Sequence, residues 1–131
     1  MKYLIDTSVL IHSLISRPKL NNKALSLLAD NSSELYLSAV SSWEITIKVG
    51  TGKLVLPERP SQFVPRAMRL MLLQPLDVNH LHALAIEDLP YHHNDPFDRM
   101  LIAQASTERM VLLTADRIFQ KYNLDQVFCG V

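Results

Sequence analysis

Two short runs, residues 3–5 and 111–113, are apolar at every position, and an aspartate follows each of them within three residues. A strand that faces water on one side alternates apolar and polar residues, whereas a strand covered on both faces is apolar throughout. The two runs therefore predict interior strands of a sheet that has helices on both sides. Segments with helical periodicity separate the strand candidates, and this alternation is typical of βαβ units and a parallel sheet.

The predicted elements extend this pattern over the whole chain of 131 residues. Strands are predicted at 2–5, 35–38, 72–76, 110–114 and 126–130, and helices at 8–15, 22–30, 40–49, 61–72, 78–89 and 96–109. No repeat, low-complexity run or linker divides the sequence, so we expect a single domain over residues 1–131. The predicted fold class is α/β, with a mainly parallel sheet of about five strands and helices on both faces.

Charge and cysteine content narrow the classes of function. Thirteen basic residues balance thirteen acidic ones, so the whole molecule has no field that would steer it towards nucleic acid. Cys129 is the only cysteine, which excludes an internal disulfide and a cysteine-rich zinc site. The apolar start of the chain is too short to span a bilayer and lacks a signal-peptide cleavage site. We therefore expect a cytoplasmic protein without a membrane partner.

Residues 48–69 carry a local excess of positive charge. The segment contains one acid, Glu58, and five bases, which are Lys48, Lys53, Arg59, Arg66 and Arg69. Such a stretch either holds phosphates or forms a solvated helix face and loop, and the sequence leaves both interpretations open.

Aspartates follow two of the predicted strands. Asp6 comes directly after residues 2–5, and Asp116 comes shortly after residues 110–114. Taken alone, each is an ordinary turn residue or helix cap. Ligands of open parallel sheets, however, bind just outside the carboxyl ends of the strands, so the pair predicts a functional edge.

Glu44 has two structural interpretations and one functional one. Ser41 and Glu44 match the S-x-x-E capping box, in which the glutamate reaches back to a backbone N–H. Glu44 also stands four residues before Lys48, the favourable direction for a helical ion pair. Because it follows the predicted strand at 35–38, it also places a third carboxylate near the carboxyl edge of the sheet.

A fourth acid, Asp98, falls on the apolar side of a predicted helix. Pro96 suits the first helical position, which makes Asp95 the N-cap. At about 100° per residue, Asp98 then shares a face with Leu101 and Ile102. Because an unpaired buried charge is costly, this carboxylate needs a partner, either an arginine, a histidine or a metal ion.

Four acids gathered at one edge would repel one another. Two unit charges 4 Å apart cost about 4 kcal/mol at an effective dielectric constant of 20. A divalent cation would offset this cost, and ligands that are all oxygen favour Mg²⁺ or Mn²⁺. The hydroxyls of Thr7, Ser8 and Thr114 are weaker candidates for positioning a water, since strand-end hydroxyls are usually caps. His92 and His93 form an adjacent pair that is typical of a solvated loop.

A family resemblance joins these residues. Four segments span nearly the whole chain in order: LIDTSVLI, SAVSSWEITIKVGTGKL, HHNDPFDRMLIAQA and VLLTADRIF. Together they resemble PIN-domain ribonucleases, in particular the VapC-like toxins of bacterial toxin–antitoxin pairs. The resemblance implies a three-layer α/β/α sandwich, Mg²⁺- or Mn²⁺-dependent cleavage of RNA, a homodimer, and inhibition by a cognate antitoxin protein.

Carried over by position, the acidic quartet of that family falls on Asp6, Glu44, Asp98 and Asp116. The family's hydroxyl ahead of the last acid matches Thr114. The resulting hypothesis is that Asp6, Asp98 and Asp116 hold the metal, directly or through waters, while Glu44 completes the negative pocket. The basic residues between 48 and 69, and also Arg99, are candidates to hold the RNA backbone.

Three alternatives compete with this hypothesis. Asp6 could be the nucleophile of a phosphotransfer enzyme, although Ser8 stands where such sites usually carry a second acid. The chain could be a non-catalytic module that binds a partner or regulates nucleic acid. It could also be a nuclease that acts on DNA.

Overall fold

Five parallel strands form one sheet in this computed structural model, which describes all of residues 1–131. The strands are β1 (Lys2–Ile5), β2 (Glu34–Ser38), β3 (Gln74–Leu76), β4 (Val111–Thr114) and β5 (Gln126–Phe128). The helices are α1 (Thr7–Ile15), α2 (Asn22–Ala29), α3 (Ala39–Gly50), α4 (Pro60–Met71), α5 (His80–Ala85) and α6 (Pro96–Glu108). Short 3₁₀ helices occupy Arg17–Lys19, Ile86–Asp88 and Arg117–Lys121.

The strand order is β3-β2-β1-β4-β5, which places β1 at the centre of the sheet. Tyr3 pairs with Leu35 of β2 on one side and with Val111 of β4 on the other. In a doubly covered parallel sheet the central strands are buried on both faces. Accordingly, Leu4 and Ile5 are both fully buried, which confirms the prediction drawn from the apolar runs.

Alternate residues of the strands face two separate cores, so the fold is a three-layer α/β/α sandwich. Ile5 and its neighbours pack against apolar residues of α1, α2 and α4 on one face of the sheet. Leu4 and Leu112 pack against Leu101 and Ile102 of α6 on the other face. Helix α3 contributes to both cores, with Val40 in the second and Ile45 in the first.

The elements follow the sequence prediction closely, and the differences lie at their ends. Helix α4 runs to Met71, and Leu72 caps it in the left-handed conformation with φ 54°, so β3 begins only at Gln74. The helix predicted at 78–89 is α5 followed by a 3₁₀ turn. Strand β5 ends at Phe128, because Gly130 instead forms an isolated antiparallel bridge with Leu20.

Three chain segments leave the carboxyl ends of adjacent strands at one edge. Asp6 separates β1 from α1 by one residue, and Asp116 follows β4 as the cap of a 3₁₀ helix. Strand β2 passes into α3 without a loop, since Ser38 ends the strand and its hydroxyl caps the helix at the Val40 N–H. Every helix of the protein is too short or too polar to cross a membrane.

Candidate active site: an acidic pocket at the carboxyl edge of the sheet

A pocket of about 340 Å³ opens at this edge of the sheet. The four acids predicted from the sequence all line it, together with Asp95. The other lining residues are Thr7, Ser8, Ile11, His12, Lys48, Lys53 and Leu54. Residues that are distant in the chain therefore meet at one place, as the arrangement of strand ends requires.

Asp6 is buried and hydrogen-bonded on both carboxylate oxygens. Its Oδ1 accepts from the Val9 N–H at 2.8 Å and from the Ser8 hydroxyl at 2.7 Å, so the residue caps α1. Its Oδ2 accepts from the hydroxyl of Thr114 at 2.5 Å. Burial raises the pKa of Asp6 to about 6, although these three hydrogen bonds oppose the rise. The three hydrogen bonds therefore fix the position of the carboxylate, but they do not fully offset the cost of burying its negative charge.

Asp116 stands beside Asp6 because β1 and β4 are neighbours. Its Oδ1 accepts from the Ile118 N–H at 3.0 Å and thereby caps the 3₁₀ helix. Its backbone N–H donates to the Thr114 hydroxyl at 3.0 Å. One oxygen of Asp116 is thus used locally, while Oδ2 makes no hydrogen bond and is left for the pocket.

Glu44 is buried in the second turn of α3, where its two oxygens have different partners. Oε1 accepts from the Thr7 hydroxyl at 2.7 Å, and Oε2 pairs with Lys48 Nζ at 2.5 Å. The capping-box interpretation is wrong, because α3 begins at Ala39 and Ser38 is its cap. The predicted pair with Lys48 is confirmed, and its hydrogen bond raises the pKa of Lys48.

Asp98 lies at the third position of α6 and turns towards the pocket. Asp95 caps the helix as predicted, since its Oδ1 accepts from the N–H groups of Phe97 and Asp98 at 2.9 and 3.2 Å. The Asp98 side chain is 18% exposed. Burial, followed by the negative charges of Asp95, Glu44, Asp6 and Asp116, raises the pKa of Asp98 to about 8. The pKa of Asp98 is therefore raised further than that of Asp6.

The donor set fits a small divalent cation, within a limit set by geometry. All the candidate ligands are carboxylate oxygens, which suit Mg²⁺ and Mn²⁺, and the raised pKa of Asp98 is what a missing positive charge produces. No group of three or more His, Cys, Asp or Glu side chains is arranged to hold an ion directly. In this arrangement, Asp6, Asp98 and Asp116 are therefore not placed to contact one ion all at once. One or two carboxylates plus waters remain, and this is the usual mode for Mg²⁺.

His93 is the partner of Asp98 that the sequence did not identify. Its Nε2 lies 3.2 Å from Asp98 Oδ2, and its Nδ1 lies 2.7 Å from the hydroxyl of Tyr122. His92 has no hydrogen bond of this kind, and its ring only meets the edge of Tyr122. The adjacent histidines drew attention to this loop in the sequence. The role of His93 was not predictable, because Tyr122, which orients it, lies 29 positions further along the chain.

Arg99 does not face the pocket. It is 3% exposed, and its guanidinium donates to the backbone carbonyls of Pro90 and Leu89 at 2.8 and 3.3 Å. It also lies over the ring of Tyr91, 4.1 Å from the centroid. This geometry argues against the predicted contact between Arg99 and an RNA backbone, because the charge is already satisfied inside the fold.

Only part of the basic stretch reaches the site. Lys48 and Lys53 line the acidic pocket, and Lys53 is exposed. Arg66 instead pairs with Glu58 at 2.5 Å, and Arg59 stands at the start of α4 beside a different depression. The two lysines are therefore the cations of this stretch that could meet a phosphate next to the acids.

Comparison with protein families identifies the arrangement. The model of the PIN domain matches residues 3–124 and so covers all four acids. The chain belongs to the PIN-domain family. This PIN domain is 39% identical over 61 residues to Ribonuclease VapC16 of Mycobacterium tuberculosis (strain ATCC 25618 / H37Rv). The match covers 47% of the chain and 43% of that relative, so the chain spans less than half the length of the curated relative it matches.

Solved structures share the whole PIN fold at low sequence identity. VapBC2 from Rickettsia felis, solved bound to a DNA fragment from its promoter, is 17% identical. That match covers 99% of this chain and all of the other, with a TM-score of 0.72. A toxin–antitoxin complex from Klebsiella pneumoniae is 18% identical and matches 95% of each chain with a TM-score of 0.66. At these identities the likeness establishes the fold alone.

Proposed function

We propose that this PIN domain is a metal-dependent endoribonuclease and the toxin component of a toxin–antitoxin pair. The observation that carries the proposal is the convergence of Asp6, Glu44, Asp98 and Asp116 on one pocket, where burial and mutual repulsion raise the pKa of Asp98 to about 8. Asp6 and Asp116 each cap a helix, but capping does not require four carboxylates at one place. A Mg²⁺ or Mn²⁺ ion bound among them, together with a phosphodiester, accounts for the arrangement.

The hydrogen bonds indicate which oxygens are free to hold the ion. Asp98 Oδ1 and Asp116 Oδ2 have no hydrogen-bond partner, whereas both oxygens of Asp6 are occupied and suit contact through a water. An ion held there would supply a bound water of lowered pKa for attack on phosphorus and would offset charge on the phosphate oxygens. Both oxygens of Glu44 accept hydrogen bonds, one from Thr7 and one from Lys48. Its proposed role is therefore to keep Lys48 beside the acids.

The lysines supply the positive charge that the substrate backbone needs. Lys48 is held by Glu44, and Lys53 is exposed on the same wall of the pocket. An RNA strand that follows these two lysines would present its phosphodiester to the acids without placing further phosphates over them. Family membership and the likeness to a ribonuclease support RNA as the substrate.

A phosphotransfer reaction with Asp6 as nucleophile suits the geometry poorly. Oδ1 of Asp6 accepts two hydrogen bonds and Oδ2 accepts one, and the residue is 3% exposed. A nucleophilic carboxylate needs an oxygen that faces the phosphorus, and here each oxygen faces a donor of the fold. The site therefore favours hydrolysis by an activated water.

An antitoxin partner belongs to the same proposal, and the fold offers it an apolar groove. The groove lies between α1, α2 and α4, and its apolar residues are Leu14, Leu25, Leu28, Ala29, Leu70 and Met71. Leu70 is 63% exposed at the rim of this groove, and an apolar groove of this kind is a typical site for a protein partner. A homodimer and a cytoplasmic location complete the proposal, both resting on the family resemblance, and light scattering tests the first.

The proposal is tested by RNA cleavage with Mg²⁺, with Mn²⁺ and with EDTA, alongside single-stranded DNA of the same sequence. Asp98→Asn is the informative variant, because its side chain does not cap α6. We expect cleavage to fall by at least about 100-fold while the fold is kept. Asp125→Asn, at an exposed acid remote from the pocket, is the matched control. Wild-type cleavage in EDTA, or full activity of Asp98→Asn, would refute the metal site, and cleavage of DNA alone would change the substrate.

A further inference from the structure

We propose that Arg99, Tyr122 and His93 form a directional hydrogen-bond relay that positions Asp98 and selects which of its oxygens faces the pocket. The inference rests on the proposed function, because it concerns how that site is held ready for its ion. Neither His93 nor Tyr122 lines the pocket, so both are positioning residues and not groups that touch the substrate.

The relay begins at a cation that can only donate. The Arg99 guanidinium is buried, and the carbonyls of Pro90 and Leu89 fix its orientation. Its Nη1 also reaches the hydroxyl oxygen of Tyr122 at 3.3 Å. Because arginine has no acceptor, the Tyr122 oxygen must accept this hydrogen bond. The single hydrogen of the Tyr122 hydroxyl is then available for a different acceptor.

The second step sets the tautomer of His93. Tyr122 is 4% exposed, and its hydroxyl lies 2.7 Å from Nδ1 of His93. This nitrogen is the one acceptor near the hydroxyl hydrogen, because the other contact of the hydroxyl is with the donor Arg99, so in the relay Tyr122 donates to Nδ1 of the neutral ring. The ring hydrogen must then be on Nε2, which lies 3.2 Å from Asp98 Oδ2. In the ionised form, which a bound cation favours, the Asp98 carboxylate only accepts, so the directions of all three hydrogen bonds agree in that form.

The consequence falls on the geometry of Asp98. Oδ2 is held by His93 while the backbone N–H of Asp98 is held by Asp95, which leaves Oδ1 directed to the pocket. Asp6 and Glu44 are each fixed by a threonine hydroxyl from another element. Asp98 has no such hydroxyl, and the relay takes its place. Groups of this kind behind a metal ligand are worth about 10- to 100-fold in metal affinity or activity when removed.

The experiment compares four variants: His93→Ala, His93→Gln, Tyr122→Phe and the matched control His92→Ala. Mn²⁺ affinity is measured by titration with electron paramagnetic resonance, and kcat and KM for RNA cleavage are measured separately. We expect His93→Ala and Tyr122→Phe to weaken Mn²⁺ binding by about 10- to 100-fold and to lower kcat, with KM for RNA unchanged. Glutamine keeps an N–H near the position of Nε2, so His93→Gln should restore most of the loss. His92→Ala should match the wild type.

Two results would overturn the relay. One is a wild-type Mn²⁺ affinity and kcat in His93→Ala or, if that variant does not fold, in Tyr122→Phe. The other comes from nuclear magnetic resonance of ¹⁵N-histidine-labelled protein in EDTA at pH 9, where an imidazole is ordinarily neutral and the Asp98 carboxyl, with its pKa of about 8, is mostly ionised. The relay requires the Nε2–H tautomer of His93 in the wild type and its loss in Tyr122→Phe, and the Nδ1–H tautomer contradicts it. A wild type that neither binds Mn²⁺ nor cleaves RNA refutes the proposed function, and the tautomer then decides the relay.

Discussion

The hydroxyl of Thr114 donates a hydrogen bond to Oδ2 of Asp6 over 2.5 Å, and this contact joins residues 108 positions apart in the sequence. It exists because β1 and β4 are neighbours in the sheet and end at the same edge. The hydroxyl is fully buried and opposes the rise that burial causes in the pKa of Asp6. The last residue of β4 thus helps to keep the acid after β1 ionised.

Replacement of Thr114 by valine preserves the shape of the side chain and removes the donor. We expect the free energy of unfolding at pH 7 to fall by about 1–3 kcal/mol, because a buried carboxylate loses a partner. RNA cleavage should fall as well, since a larger fraction of Asp6 is then protonated. Thermal unfolding and cleavage rates measure the two effects. Thr46→Val is the matched control, because the Thr46 hydroxyl is exposed and bonds only to a carbonyl of its own helix; equal losses in both variants would contradict the argument.

The stability of the protein without metal should depend on pH in a direction set by Asp6 and Asp98. Their pKa values are raised from 3.8 to about 6 and about 8. Between pH 4 and 8 the folded state therefore binds more protons than the unfolded chain, and stability declines as pH rises. The contribution of Asp6 is lost by about pH 6 and that of Asp98 by about pH 8.

Asp98→Asn isolates this effect. In EDTA the variant should melt higher than the wild type by about 3–6 °C at pH 8, and the difference should shrink towards pH 5. Mn²⁺ should then raise the melting temperature of the wild type more than that of the variant, because the ion favours the ionised carboxylate. Differential scanning fluorimetry at several pH values gives the measurement, and a difference that does not change with pH would contradict it.

Glu44→Gln should reduce RNA cleavage less than Asp98→Asn does. Both oxygens of Glu44 are engaged by Thr7 and Lys48, so the substitution loosens Lys48 without removing a ligand of the ion. We expect a loss on the order of 10-fold, seen mainly as a higher KM for RNA. Lys48→Gln should produce a similar loss, and the double variant little more, because one pair is affected. A loss in Glu44→Gln as large as in Asp98→Asn would make Glu44 a ligand.

The apolar groove between α1, α2 and α4 should be where the antitoxin binds. Leu70→Asp places a charge on its exposed rim, and we expect antitoxin affinity to fall by at least about 100-fold while RNA cleavage stays unchanged. Leu84→Asp is the control. Leu84 is similarly exposed, but its helix α5 packs against α6 on the other face of the sheet. Calorimetric titration with the purified antitoxin separates them, and equal weakening by both variants would move the contact elsewhere.

The sequence predicted those parts of the site that depend on local pattern or on strand ends. Asp6 and Asp116 follow apolar runs, and the cap at Asp95 follows from Pro96 in the next position. Strand ends of a parallel sheet share one edge, so their meeting was predictable without knowing the strand order. The face on which Asp98 lies was predictable from helical periodicity alone.

The long-range contacts that orient these acids were not predictable, because each joins elements that only the folded chain brings together. Thr7 reaches Glu44 from another helix, and Tyr122 reaches His93 from 29 positions further along the chain. The local motif at Ser41 was misleading for a related reason. Ser38, at the end of β2, already caps α3 three residues earlier. Ser41 therefore lies inside the helix and cannot act as its cap, although its local sequence matches the motif.

The direct passage from β2 into α3 at Ser38 also limits how the length of this segment can vary among related proteins. Many connections in α/β proteins absorb inserted residues in a surface loop. Here one residue added between Ser38 and Glu44 would rotate the glutamate by about 100° around the helix and carry Lys48 with it. Relatives that keep the chemistry should therefore tolerate substitutions in this segment but hold its residue count constant.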